Sequence, residues 1–144
     1  MSWLDSPGVQ KLRVLMPFVY ALGVFYGGVI DVGELPHTPL VASDKLLHAA
    51  AFMGLEILGE WALYPRDVRV RRWVAVLGSI TVGGSLELVQ AALPYRSADF
   101  WDLVADSVGA VMGALALAML SRAPRALPAA PRTSDPPGAS GEAS

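Results

Sequence analysis

Four apolar runs, at residues 14–30, 46–64, 73–93 and 101–121, are separated by short charged or turn-rich segments. A hydrocarbon core about 30 Å thick takes roughly 20 helical residues, so each run is long enough to cross it. Backbone groups in lipid have no water to bond to and must be satisfied within the segment, which helices achieve. The alternative, a spanning barrel, needs ten-residue segments of alternating hydrophobicity, and the sequence has none. The expected fold is therefore all-α: a polytopic membrane protein whose residues 1–121 form one four-helix transmembrane bundle. Composition agrees, with 53% hydrophobic and only 17% charged residues and a mean hydropathy of +0.45. There is no cysteine, so disulfides, thiolate nucleophiles and thiolate metal sites are excluded.

Lys and Arg set the expected orientation. Lys11 and Arg13 precede the first run, Arg66, Arg69, Arg71 and Arg72 lie between the second and third, and Arg122, Arg125 and Arg132 follow the fourth. Nine of the eleven basic residues thus fall on one side, which the positive-inside rule makes cytoplasmic together with both termini. The first run is too long for a signal-peptide core and no small-x-small cleavage site follows it, so it is expected to stay as a span in the bacterial inner membrane. Residues 122–144 are rich in Pro, Ala, Ser and Gly and read as a disordered cytoplasmic tail. The arginine loop is short and lacks interleaved aromatics, so no nucleic-acid partner is expected.

With that topology, unusual polar residues gather toward the extracytoplasmic side. Asp44, Lys45 and His48 open the second run, Glu87 and Gln90 close the third, Arg96 lies in the following connection, and Asp99, Asp102 and Asp106 open the fourth. Asp99, Asp102, Asp106, Gly109 and Gly113 are spaced 3, 4, 3 and 4, which places them on one stripe of a helix. Gly83, Glu87 and Gln90 repeat the spacing. Small residues at such intervals let a neighbouring helix approach closely, so the acidic stripe should face protein. Ionisable groups cost about 2.5–3.5 kcal/mol each at the centre of a bilayer, so they persist where they are paired or useful. Asp99, Asp102 and Asp44 also stand where a helix N-terminus is capped by acids. Glu87 and Asp106 lie deeper than a cap explains. Glu56 is expected to be neutral and hydrogen-bonded inside the bundle, and Glu60 to pair with the arginine loop.

The ordered set Asp44-Lys45-x-x-His48, Glu87-x-x-Gln90, Arg96 and Asp102-x-x-x-Asp106-x-x-Gly109-x-x-x-Gly113 resembles the VanZ-like family of bacterial membrane proteins. The likeness covers residues 44–118, with the first run similar only in being apolar. Asp106 stands where the family pattern usually has Asn, which makes this site more acidic. The resemblance implies an inner-membrane protein of the cell envelope. The family is named for an accessory protein of glycopeptide-resistance gene clusters, so tolerance of such antibiotics is the associated process.

Three functions fit these residues. The leading one is an outward-facing pocket that binds a membrane lipid or lipid-linked envelope precursor, with Lys45, His48 and Arg96 toward an anionic group and Asp44, Glu87, Gln90, Asp102 and Asp106 ordering them. The second is a hydrolase or transferase acting on a polyprenyl-phosphate type of substrate, with His48, Glu87, Arg96, Asp102 and Asp106 as its candidate catalytic residues. The third is a structural scaffold or partner subunit, the polar network fixing helix register. No cofactor and no metal are expected, since one histidine makes a poor metal site. Self-association through Gly83 and Gly84 or through the first run is compatible with so small a bundle.

Overall fold

The computed structural model describes residues 6–30, 44–96 and 98–122. They form four helices in chain order: α1 (Pro7–Val29), α2 (Asp44–Ala62), α3 (Val68–Ala91) and α4 (Phe100–Arg122). Three of them, α1, α3 and α4, are long and apolar enough to cross a membrane. The helix α2 is the exception, because Asp44, Lys45, Glu56 and Glu60 fall among its 19 residues. Its place in the bundle accounts for that: α2 packs against all three other helices, most extensively against α4, and Glu56 and Glu60 are buried there while Asp44 and Lys45 stay exposed at its start.

Helix ends extend beyond the apolar runs. Ser6 caps α1 by accepting the Val9 N–H, and Pro7 supplies a preset backbone angle at the first helical position, so the helix starts seven residues before the run at residue 14. Asp67 caps α3 through the Arg69 and Val70 N–H groups, which draws the arginine-rich segment into the helix. At the other end of the chain, Arg122 closes α4 instead of opening the tail. The expectations for residues 123–144 lie outside the described residues.

Polarity runs inside out. Glu56 and Asp106 are fully buried, and Glu60, Glu87 and Gln90 are nearly so, while Leu22, Leu88 and Leu120 are each at least 70% exposed. An aqueous protein arranges these residue types the other way round. An apolar exterior around a polar centre is stable where the surroundings are hydrocarbon.

Close helix approach is provided by glycine. A Cβ at Gly109 would overlap the Ala49 backbone of α2, and one at Gly113 would come 2.9 Å from the Met53 carbonyl oxygen. The stripe inferred from spacing is thus the α2–α4 contact line, and Asp102, Asp106, Gly109 and Gly113 are all buried on it. Gly83 plays the corresponding part on α3, where a Cβ would stand 2.7 Å from Asp106 Oδ2.

Candidate functional site

Two clusters of charge occupy opposite ends of the bundle. The first is built on the starts of α2 and α4. Lys45 Nζ lies 2.7 Å from both Asp99 Oδ2 and Asp102 Oδ1, clasping the two helix starts together. Asp99 precedes α4 and caps it, accepting the Trp101 N–H at 2.9 Å. Its own N–H donates to Glu87 Oε2 at 2.9 Å, which ties α3 to the same corner. The bonds from Lys45 and from the Trp101 N–H hold the Asp99 carboxyl below the usual carboxylate range. Asp99 lies at the rim and stays charged through neutral pH.

One turn further in, His48 Nδ1 lies 2.8 Å from Asp106 Oδ1, and Asp106 is fully buried. The other ring nitrogen, Nε2, faces Asp102 Oδ2 at 4.0 Å. Asp106 Oδ2 and Glu87 Oε1 are buried without a hydrogen-bond partner among the described residues. Beside this row opens a cavity of about 630 Å³. Its lining includes the polar Asp44, His48, Arg96 and Asp102 and the apolar Val24, Leu47, Phe52 and Leu86.

The structure brings Lys45, His48, Glu87, Asp102 and Asp106 together across α2, α3 and α4. It places Gln90 and Arg96 differently. Gln90 Nε2 donates to the Gly28 carbonyl at 2.8 Å, and Arg96 Nη2 to the Ile30 carbonyl at 2.6 Å. Tyr95 donates to the Val29 carbonyl between them. The last carbonyls of a helix have no partner within it, and a cation complements the negative end of its dipole. These three side chains therefore cap α1 from outside while still bordering the cavity. Asp44 lines the cavity and accepts no capping hydrogen bond among the described residues.

At the opposite end Glu60, 3% exposed, accepts from Arg72 Nε at 2.7 Å and lies 3.4 Å from Arg71 Nε. The pairing with the arginine segment follows the expectation. Glu56 departs from it: both carboxylate oxygens are buried with no hydrogen-bond partner among the described residues, and Oε2 is turned to the surface that Gly113 leaves free. Hydrogen-bond donors on α4 near Glu56 are displaced by the glycine and alanine needed for close packing, so proximity to the bundle axis does not supply a partner. Arg13, read only as a topology signal, is buried, and its guanidinium stands 5.4 Å from the centroid of the Tyr64 ring, which Arg71 also approaches at 5.8 Å. A cation over an aromatic face is a favourable placement for an arginine drawn out of water. Nothing local in the sequence marks this contact, because Tyr64 lies about fifty residues further along the chain.

No curated protein and no solved structure matches the chain. A family model described as VanZ/LLP1 matches residues 4–121. That stretch reaches beyond the motif-bearing residues 44–118 to take in α1. Together with three helices able to cross a membrane, this match shows that the chain is a membrane protein belonging to the VanZ/LLP1 family.

Proposed function

We propose that the chain is a four-span protein of the bacterial inner membrane, with both termini and residues 122–144 on the cytoplasmic side and the Lys45–His48 cavity opening extracytoplasmically. In this reading α2 crosses as the central, shielded member of the bundle. The cavity takes the headgroup of a cell-envelope lipid or lipid-linked precursor, and the process served is envelope homeostasis or glycopeptide tolerance. The observation that carries the reading is the cavity's mixed lining: the ionisable Asp44, His48, Arg96 and Asp102 together with the apolar Val24, Leu47, Phe52 and Leu86. An amphiphile presents that same pair of chemistries, and a concave apolar surface with a few polar groups is the usual form of a small-ligand site.

Lipid extracted from the purified chain and analysed by mass spectrometry tests this. One species enriched over the bulk membrane lipid is expected with wild type, and at least a tenfold loss of it with Asp102→Ala or with Phe52→Ala, one polar and one apolar lining residue. Extracts matching the bulk membrane in every variant would refute it.

The His48–Asp106 contact favours an enzymatic reading as the second choice. A histidine oriented by a buried carboxylate, with Nε2 facing a cavity, has the geometry of a general base. Hydrolysis or transfer on a polyprenyl-phosphate substrate would use it, and turnover of such a substrate by wild type but not by His48→Gln distinguishes this from binding alone.

A further inference from the structure

Asp44, His48 and Asp102 each offer one ligand atom, and the three atoms lie within 4.8 Å of one another. All three residues line the same cavity. The imidazole is the informative member. Nδ1 is 2.8 Å from Asp106 Oδ1; in the tautomer in which Nδ1 donates to that oxygen, Nδ1 holds the hydrogen. Nε2 is then the nitrogen with the free lone pair, and it is the one facing Asp102 Oδ2. A carboxylate behind the far nitrogen is how metal-binding histidines are fixed in tautomer and orientation. Asp102 divides its two oxygens in a compatible way, Oδ1 accepting from Lys45 and Oδ2 remaining toward His48. Asp44 has no hydrogen bond or ion pair among the described residues, and it is exposed.

The local charge points the same way. Among the described residues, Lys45 pairs with Asp99 and Asp102, while Arg96, which lines the same cavity, donates to the Ile30 carbonyl. Glu87, 8% exposed, leaves Oε1 without a partner and lies within electrostatic reach of His48, Asp102 and Asp106. So dense a set of carboxylates lacks positive charge at its centre.

We propose that Asp44, His48 Nε2 and Asp102 Oδ2 bind one divalent cation of the zinc or manganese class, with its remaining coordination positions open to the cavity. One imidazole with two carboxylates suits these ions, whereas magnesium and calcium favour all-oxygen sites. Bonds of about 2.1 Å in tetrahedral array bring ligand atoms to roughly 3.4 Å of each other, a contraction that rotation of Asp44 supplies. Asp106 is a positioning residue here, acting through His48. The sequence reading passed over this site because it counted histidines; the two aspartates come from helix starts that only the fold brings together.

The full-length chain in detergent micelles, stripped by a chelator and with no lipid added, is titrated with Co²⁺ while its visible d–d absorption is followed. One equivalent is expected to saturate the bands, and Zn²⁺ but not equimolar Mg²⁺ to displace it. Asp44→Asn, which alters an exposed side chain and leaves folding intact, is expected to weaken Co²⁺ binding at least tenfold. Asp106→Asn keeps all three ligands and is expected to weaken it by about 10–100-fold, the usual effect of losing a ligand's carboxylate support. Wild type without saturable bands, or Asp44→Asn binding as tightly as wild type, overturns the proposal. The titration reads the bound ion and the extraction reads the lipid, so either reading can fail without the other.

Discussion

Gly109→Ala is expected to destabilise the bundle by about 3 kcal/mol, the upper part of the range for overpacking a close contact, while Gly78→Ala stabilises it by up to about 1 kcal/mol. The two substitutions add the same methyl group to two helices. At Gly78 nothing lies within 4 Å of the new carbon, so the gain in helix propensity is all that remains. At Gly109 the carbon overlaps the carbonyl of Ala49, and the obstacle is backbone in the middle of α2. A flexible side chain could move aside; a helix can only separate from its neighbour. That separation would also pull His48 from Asp106 and Lys45 from Asp102, since these pairs bridge the same two helices. Thermal unfolding of both variants in detergent, followed by circular dichroism, checks the contrast. Equal shifts in melting temperature would mean that α2 and α4 are not packed along Gly109.

Glu60→Gln should cost about 3–5 kcal/mol, as expected when one partner of a buried ion pair is removed and the other is left charged. Glu60 is almost fully buried, and Arg71 and Arg72 are each less than a third exposed at their side chains, so water screens the contact poorly. Gln keeps the shape and one acceptor but loses the charge. The penalty therefore comes chiefly from two guanidinium groups stranded at the bundle end, with Arg13 adding a third nearby over Tyr64. Replacing Arg72 by Gln as well should recover part of the loss, because the strongest stranded charge is removed. A double-mutant cycle on melting free energy measures this, and a loss below 1 kcal/mol for Glu60→Gln would place the cluster among weak surface pairs.

Much of this arrangement can be seen in the sequence, and the reasons differ by residue. The four helices follow from their apolar runs. The facing of Asp102, Asp106, Gly109 and Gly113, and of Gly83, Glu87 and Gln90, follows from 3- and 4-residue spacing, because helical phase is a local property. Helix starts are less visible to a hydropathy reading, since Ser6-Pro7 and Asp67 are capping signals placed among charged residues that such a reading discards. The destinations of Gln90, Tyr95 and Arg96 are not local at all. Their partners are the carbonyls ending α1, more than 60 residues earlier, and a donor carries no mark of which distant acceptor it meets. The same holds for Arg13 and Tyr64. Glu56 shows the limit from the other side: burial follows from its phase on α2, but the lack of a hydrogen-bond partner depends on which small residues oppose it.

In the proposed topology four helices cross the membrane and the Lys45–His48 cavity lies on its outer face. The chain contains no cysteine, so single cysteines can be introduced at exposed positions on the two ends, Ala98→Cys beside the cavity and Val68→Cys at the start of α3. Intact cells are treated with a membrane-impermeant maleimide, and then again after permeabilisation. Labelling of Ala98→Cys in intact cells, with Val68→Cys labelled only after permeabilisation, is the predicted result; the reverse pattern, or both sites reacting from the same side, would contradict it.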